Sequence, residues 1–228
     1  MSSPSWACGT VCRAVVSADQ TGWVRSPGLW VVHHALVEAD LRTGRLVLRG
    51  FIGTDLDELA ALDADPQVMY FITGGLPTPP EEVAREVLPA FLTYHERSAH
   101  RGYWVAEDAA TGQFLGWFHL RPAPGRGDDE PELGYRLRRS AWGHGYATEG
   151  ARALIDHAFS QRGVQRVLAE TMVVHTASRR VLEKCGMRVL RSFRANWPYP
   201  IPGDEHGDVE YVLDRTDWER RRQILMPP

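Results

Sequence analysis

The stretch Trp142-Gly143-His144-Gly145-Tyr146-Ala147 decides the fold, because it joins a strand-like run to a helix-like run. Residues 132–137 read as a strand, and residues 146–162 carry apolar side chains with the period of an amphipathic helix. The first amides of a helix have no internal partners, and the helix dipole makes that end electropositive. Since the two glycines place no side chain there, the turn predicts a seat for a phosphate or pyrophosphate. The alternative is a turn whose glycines only satisfy positive φ.

A nicotinamide dinucleotide fold also uses a Gly-x-Gly turn, but the surrounding residues argue against it. Thr148 stands where the dinucleotide fingerprint has a third glycine or alanine. That fold needs several further strand-helix-strand units, whereas only about 80 residues follow the turn and they end in paired strands. Glu170 could imitate the ribose-binding acid, but the order of elements does not support this role.

Outward from the turn, hydrophobic periodicity and turn residues predict a chain of strands and helices in the order β-α-α-β-β-β-α-β-α-β-β. Helices are expected from about Thr54, from about Thr78 and over 177–185. Strands are expected at 45–49, 103–107, 114–120, 132–137, 166–174, 187–193 and 208–213. This order predicts one α+β domain over residues 39–228, preceded by a poorly ordered extension over residues 1–38.

Composition bounds the class of protein. The chain has 228 residues with 43% hydrophobic content, enough for one substantial core. Its net charge of −3 argues against a general partner for nucleic acid or anionic membranes. The sequence has no apolar run of 18 or more residues and no basic-then-apolar start, so we expect a cytoplasmic protein without a membrane span.

The cysteines do not indicate a disulfide framework or a metal centre. There are three, Cys8, Cys12 and Cys185, and an odd count without a secretion signal predicts reduced thiols. Cys8 and Cys12 with His33 and His34 match no common zinc module, so we expect no metal. Cys185 has apolar neighbours next to a helix-ending glycine, which favours a buried small hydrophobe over a nucleophile.

Two segments resemble a known family. The residues ELGY at 132–135 and AWGHGYATEG at 141–150 resemble motif A of the GNAT superfamily of N-acetyltransferases. The residues HTASRRVLEKCGM at 175–187 resemble its motif B. Both are most similar to the RimJ/RimL branch, whose members acetylate protein N-termini and small amines. The resemblance covers about residues 41–218 and implies acetyl-CoA as co-substrate, with no metal.

The resemblance implies a three-layer α/β/α fold with a mixed, mostly antiparallel sheet. Its two parallel strands, here 132–137 and 166–174, splay apart, and the pantetheine of acetyl-CoA lies in the gap. The implied cofactor contacts fall in two groups. Backbone groups of Leu137, Arg138 and Arg139 pair with the pantetheine, and amides of Gly143, His144, Gly145, Tyr146 and Ala147 hold the pyrophosphate.

This chain departs from the family pattern at two positions. Ser140 stands where the broad family has glutamine or arginine, and His175 stands where it has an asparagine that contacts the cofactor. An imidazole at His175 still donates one hydrogen bond, but its charge is expected to vary near neutral pH.

The family reaction is direct attack of an amine on the thioester in a ternary complex, which needs a base, an acid and oxyanion donors. Glu132 is the candidate base, with a solvated edge charge as the alternative. Ser178 is the candidate acid for the leaving thiolate and a cofactor contact, and helix capping is its competing role. Glu149 in the first helical turn is expected to be structural rather than catalytic.

The acceptor is expected to bind near an aromatic and acidic loop. Trp197 and Tyr199 with Glu205 predict a pocket for a cationic amine, through charge and cation–π attraction. The partner is then a small-molecule amine or a protein N-terminus, and a homodimer is compatible with the sequence. A non-catalytic acyl-CoA-binding regulatory domain is the alternative function, given the substitutions at Ser140 and His175.

Overall fold

The computed structural model describes residues 40–97, 101–123, 125–161, 163–197 and 201–225. Within them, eight strands form one sheet in the order β1-β2-β3-β4-β5-β6-β8-β7. The strands are β1 Leu41–Arg42, β2 Leu46–Gly50, β3 Gly102–Asp108, β4 Phe114–Pro122, β5 Pro131–Leu137, β6 Arg166–Met172, β7 Arg188–Phe193 and β8 Asp208–Asp214. The expected N-terminal extension, residues 1–38, lies outside the described residues.

The centre of the sheet contains the predicted splayed pair. All described pairings are antiparallel except that of β5 with β6, which is parallel and has a single registered position, Glu132 opposite Leu168. On their other edges both strands stay fully paired, β5 with β4 and β6 with β8. The two strands therefore diverge beyond Glu132, and the mixed sheet with a splayed parallel pair is confirmed.

Helices cover both faces of the sheet. They are α1 Leu56–Ala64, α2 Tyr70–Thr73, α3 Pro80–Glu82, α4 Leu88–Arg97, α5 Tyr146–Ser160, α6 Thr176–Lys184 and α7 Arg215–Leu225, with a π-helical segment Val83–Val87 joining α3 to α4. Leu59 of α1 and Phe91 of α4 pack with Trp117 on one face. Leu154 of α5 and Leu182 of α6 pack with Leu133 on the other. The three-layer α/β/α architecture is thus as expected.

Three elements were not predicted from the sequence. β1 has two residues and α2 has four, too few to show a hydrophobic period. α7 is highly polar, and its contacts are tertiary: the Trp218 indole donates to Asp156 Oδ1 (2.6 Å), and its ring packs on Phe159 with centroids 5.1 Å apart. These elements depend on packing rather than on a local pattern.

Candidate active site

The glycine turn has the backbone shape of an anion seat. Gly143 and Gly145 adopt left-handed conformations, with φ of 78° and 85°. Gly145 is the N-cap of α5 and makes no side-chain capping bond, so the first amides of the helix are not covered by a cap. A Cβ built at Gly143 would meet nothing within 4 Å, so the glycine leaves open space in front of the turn. The turn formed by Gly143, His144, Gly145, Tyr146 and Ala147 fits a pyrophosphate.

The strand end before the turn is only partly available to a ligand. The Arg138 amide donates to the Leu115 carbonyl (2.9 Å), and the Arg138 and Arg139 carbonyls accept from the amides of Ala141 (2.9 Å) and Trp142 (3.0 Å). The Leu137 carbonyl accepts from the Trp142 indole (2.8 Å). The backbone groups of successive strand residues point to opposite edges of the strand. Since the Arg138 amide points towards β4, the backbone groups of Leu137 point towards the gap. Of the three residues, Leu137 is therefore best placed to pair with a pantetheine.

Glu132 lies where the two strands begin to diverge, and it is buried with 3% of its surface exposed. Its Oε2 lies 3.1 Å from Nη2 of Arg121, which is itself fully buried. Burial raises the pKa of Glu132 to about 7, and nearby Arg121 opposes that shift. A carboxylate whose pKa lies near neutrality can both accept and release a proton under ordinary conditions.

Further acidic residues share the face of the sheet that carries Glu132. Glu170 on β6 lies two residues beyond Leu168 and directly opposite Glu210 on β8. Glu210 is paired with Arg126 (3.2 Å) and Arg191 (2.5 Å). Burial, and then the charge of Glu210, raise the pKa of Glu170. The sequence indicated for Glu170 only a possible ribose contact, because alternation along a strand does not reveal which strand lies opposite.

Ser178 meets an unpredicted partner across the layers. The Tyr135 hydroxyl on β5 lies 3.2 Å from Ser178 Oγ and 3.4 Å from its carbonyl oxygen. Burial raises the pKa of Tyr135, so its hydroxyl stays protonated. The N-cap of α6 is His175, which makes no side-chain capping bond, so Ser178 does not cap the helix. Tyr135 and Glu132 lie on opposite faces of β5, because they are three positions apart.

His175 is held as a neutral ring. It stacks on Phe71 of α2 with centroids 4.1 Å apart and an interplanar angle of 18°. Burial lowers its pKa to about 4, so it does not change charge near neutral pH, contrary to the expectation from sequence. Phe71 was missed because α2 is too short to show a period. The pair forms an aromatic wall at the end of β6.

The predicted acceptor residues are only partly brought together. The Trp197 indole donates to Asp208 Oδ2 (3.3 Å), a buried carboxylate on β8. The Glu205 carboxylate is instead exposed, with its Oε1 3.5 Å from Nε2 of His206. Tyr199 lies outside the described residues. A pocket that contains all three residues stays a prediction, whereas the contact between Trp197 and Asp208 is present.

The described residues contain neither a metal site nor a membrane-spanning helix. Within the described ranges, no group of three or more His, Cys, Asp or Glu side chains is arranged to hold a metal ion. None of the helices in these ranges combines the length and apolar character needed to cross a bilayer. Cys185 is buried, and burial raises the pKa of its thiol to about 11, which agrees with a packing role.

A splayed parallel pair followed by an uncapped, glycine-bearing helix start is the arrangement that the resemblance implied for an acyl-CoA-dependent transferase. The chain matches the model of the acetyltransferase (GNAT) domain over residues 45–188, which is more than half its length. It therefore belongs to the GNAT family, and it is an acyltransferase that uses acetyl-CoA as co-substrate.

Similar proteins agree with this assignment. The FsC-acetyl coenzyme A-N(2)-transacetylase of Aspergillus fumigatus is 34% identical over 192 residues, 82% of this chain and 80% of that protein. The crystal structure of aminoglycoside acetyltransferase AAC(6′)-Ib in complex with coenzyme A has a TM-score of 0.61 at 21% identity, covering 78% of this chain and 99% of that one. RimL, a ribosomal alpha-N-protein acetyltransferase in complex with coenzyme A, has a TM-score of 0.63 at 17% identity, covering 77% and 98%. The two structures support the fold.

Proposed function

We propose that this protein transfers the acetyl group of acetyl-CoA to the primary amine of a small molecule, in a ternary complex and without an acetylated enzyme intermediate. The observation that carries the proposal is the divergence of β5 from β6 beyond the single pair Glu132–Leu168. A pantetheine seated in that gap presents its thioester to both faces of the sheet. One face carries Glu132, and the other carries Tyr135 and Ser178.

The amine binds on the face of the sheet that carries Glu132. An α-amine has a pKa of about 7.7–8 and a lysine amine one of about 10.4, so the acceptor arrives mainly as a cation. Glu170 and Glu132 attract that cation, and Trp197 beside Asp208 gives its apolar part a surface. Glu132 then takes the proton, directly or through water, because its own pKa of about 7 allows it to be ionised at neutral pH.

On the opposite face lies the group that protonates the leaving sulfur. The amine lone pair forms a bond to the thioester carbonyl carbon, the oxyanion is stabilised by amides of the unpaired edge of β5, and the carbon–sulfur bond breaks. The nitrogen of the tetrahedral adduct releases its second proton to solvent. The thiolate takes a proton from the Ser178 hydroxyl, which Tyr135 orients at 3.2 Å, and the serine regains a proton from solvent. The products are an N-acetylated amine and coenzyme A.

The proposal of a small-molecule acceptor is supported by the Aspergillus relative, which is named for transfer to an N(2) nitrogen. A protein N-terminus is the second acceptor class, supported by the similarity of both sequence motifs to the RimJ/RimL branch. A small amine needs only the acid-lined face beside the gap, whereas a peptide also needs an extended groove for its following residues. We therefore favour the small amine.

The experiment that tests the proposal is turnover by the purified protein. Release of coenzyme A thiol is followed over a panel of small diamines, amino acids, aminoglycosides and peptide N-termini. We expect thiol release with one of the small-amine classes and its loss in Glu132→Gln. Tight binding of coenzyme A without turnover on the whole panel would support the regulatory domain instead.

A further inference from the structure

The hairpin between β1 and β2 contacts the glycine turn, residues 143–147, through Arg45. The Arg45 guanidinium donates through Nη1 to the His144 carbonyl (2.9 Å), inside the turn itself. The same guanidinium lies over the Tyr146 ring, with 4.7 Å from its central carbon to the ring centroid. A Cβ at Gly145 would lie 3.4 Å from Arg45 Nη2. Arg45 therefore contacts or borders three consecutive residues of the turn.

Glu149 of α5 joins this contact. Its Oε2 accepts from Arg45 Nε (2.8 Å), and its Oε1 accepts from the Arg45 amide (2.8 Å) and from Thr43 Oγ1 (2.6 Å). Burial opposes ionisation of Glu149, but these bonds outweigh it and hold the pKa of the carboxyl below its ordinary value. Glu149 is thus a carboxylate at neutral pH, one turn from the predicted pyrophosphate seat.

A second anchor fixes the other side of the turn. The Tyr146 hydroxyl donates to Asp108 Oδ2 (2.8 Å), where β3 ends. The next residue, Ala109, donates its amide to the Arg45 carbonyl (2.9 Å). The hairpin, the end of β3 and the start of α5 therefore form one connected network of hydrogen bonds.

We propose that Arg45 is a positioning residue for the cofactor: it holds the glycine turn in its anion-binding shape and neutralises Glu149, so that the pyrophosphate does not meet an unpaired carboxylate. The inference rests on the proposed seat of the pyrophosphate at the turn. The guanidinium fork suits this role, because it bonds the His144 carbonyl and the Glu149 carboxylate at the same time.

The charges of Arg45 and Glu149 balance each other beside the predicted pyrophosphate seat. A carboxylate in the first turn is favoured by the helix dipole, but it competes there with any bound anion. With Arg45 present, the pair with Glu149 is neutral overall, since their nitrogen and oxygen atoms approach to 2.6 Å. Without Arg45, the charge of Glu149 remains and repels the diphosphate at close range. Removing both charges should then restore part of the lost affinity.

The test is a double-mutant cycle on coenzyme A binding, measured by calorimetry without any amine. We expect Arg45→Met to weaken binding by about tenfold or more, and Arg45→Met with Glu149→Gln to recover about half of the logarithmic loss. Arg42→Met is the matched control, because Arg42 lies on the same hairpin, is largely exposed and pairs only loosely with Asp40 at 3.6 Å. The affinity of Arg42→Met for coenzyme A should equal that of the unmodified protein. If Arg45→Met folds poorly, Arg45→Lys keeps the charge without the fork and should show an intermediate affinity.

A second readout separates positioning from general damage. S-acetylpantetheine carries the thioester without the pyrophosphate, so its kcat/KM should be the same in Arg45→Met and the unmodified protein. An equal loss with both donors would show that Arg45 only supports the fold. Affinity for coenzyme A that matches the Arg42→Met control, or a double variant no better than the single one, would overturn the proposal. The binding cycle needs no acceptor amine. A failure of the proposed role of Arg45 can therefore be distinguished from a failure of the proposed reaction.

Discussion

The hydroxyl of Tyr135 lies 3.2 Å from Oγ of Ser178, so a residue of the central sheet contacts the start of α6 across the layer that lines the gap. This contact gives Ser178 a partner for proton transfer that helix capping does not require. It also lies on the face of β5 opposite Glu132, which separates the proposed acid from the proposed base. In the proposed mechanism, the two proton transfers therefore take place on opposite faces of the sheet.

Removal of the Ser178 hydroxyl tests its part in this contact. We expect Ser178→Ala to lower kcat by about 10²-fold, because one proton-transfer group is lost, while KM for acetyl-CoA changes little. Tyr135→Phe should lower kcat by about fivefold, the effect of one lost hydrogen bond. Steady-state kinetics checks both values. Tyr94→Phe is the control, because Tyr94 packs on Tyr103 on the face of the sheet opposite Ser178. A kcat for Ser178→Ala within twofold of the unmodified value would remove the serine from the mechanism.

The pH dependence tests Glu132. Since burial raises its pKa to about 7, kcat/KM should rise through pH 7 as the carboxyl ionises and becomes able to accept a proton. Glu132→Gln should remove that rise and lower activity by about 10²-fold near pH 8. The deficit should shrink above pH ~10, where even a lysine-type amine is already largely deprotonated in solution.

Glu130→Gln is the control for Glu132, because Glu130 lies just before β5 and pairs with Arg126 (2.8 Å) and Arg166 (3.1 Å) on the surface. A profile that keeps its inflection near pH 7 in Glu132→Gln would assign the titration to another group.

The same raised pKa predicts a pH-dependent stability. The folded-state pKa lies above the ordinary value of 4.5, so the folded protein binds this proton more tightly than the unfolded chain. The stabilisation is fully present below about pH 4.5 and is lost as pH rises through about 7. Urea unfolding measures the free energy of unfolding between pH 5 and pH 8. The decrease in this free energy should be larger in the unmodified protein than in Glu132→Gln, which keeps all the other titrating groups. A Glu132→Gln variant with the same slope as the unmodified protein would contradict it.

The glycine turn can be tested with a matched pair of glycines. Gly143→Val should weaken coenzyme A binding by at least tenfold, because a branched side chain fills the open space in front of the turn. Gly163→Val is the control: its φ of 99° imposes a similar strain of about 1–2 kcal/mol, and its Cβ also meets nothing within 4 Å, but it lies beyond the far end of α5. Calorimetry and thermal melting separate the two effects. Equal affinities in both variants would mean that the pyrophosphate binds elsewhere.

A buried ion pair holds α1 to the strand beside the gap. Asp63 of α1 and Arg136 of β5 are bonded to each other and are 2% and 5% exposed. Asp63→Ala should lower the free energy of unfolding by about 3 kcal/mol, since it removes one partner of a buried pair. Chemical denaturation measures this. Asp57→Ala, an exposed first-turn acid of the same helix, should cost less than about 1 kcal/mol. A similar small effect for both variants would show that α1 is held by apolar packing alone.

The sequence predicted those features that have a local signal. The strand before the turn, the turn and α5 follow from glycines and a helical period, and the family resemblance added the splay between β5 and β6. Contacts between distant positions had no such signal. Arg45 and Glu149 are 104 residues apart, and Phe71 reaches His175 from a helix of four residues. The raised pKa of Glu132 depends on burial, which alternation along one strand does not fix.

The most direct test of the central claim follows the acetyl group itself. The purified protein is incubated with acetyl-CoA labelled in the acetyl group, with and without the acceptor amine, and the masses of protein and amine are measured. Direct transfer predicts one acetyl group on the amine nitrogen and none on the protein, whether or not the amine is present. Label retained on the protein in the absence of amine and then lost on its addition would contradict a ternary-complex mechanism.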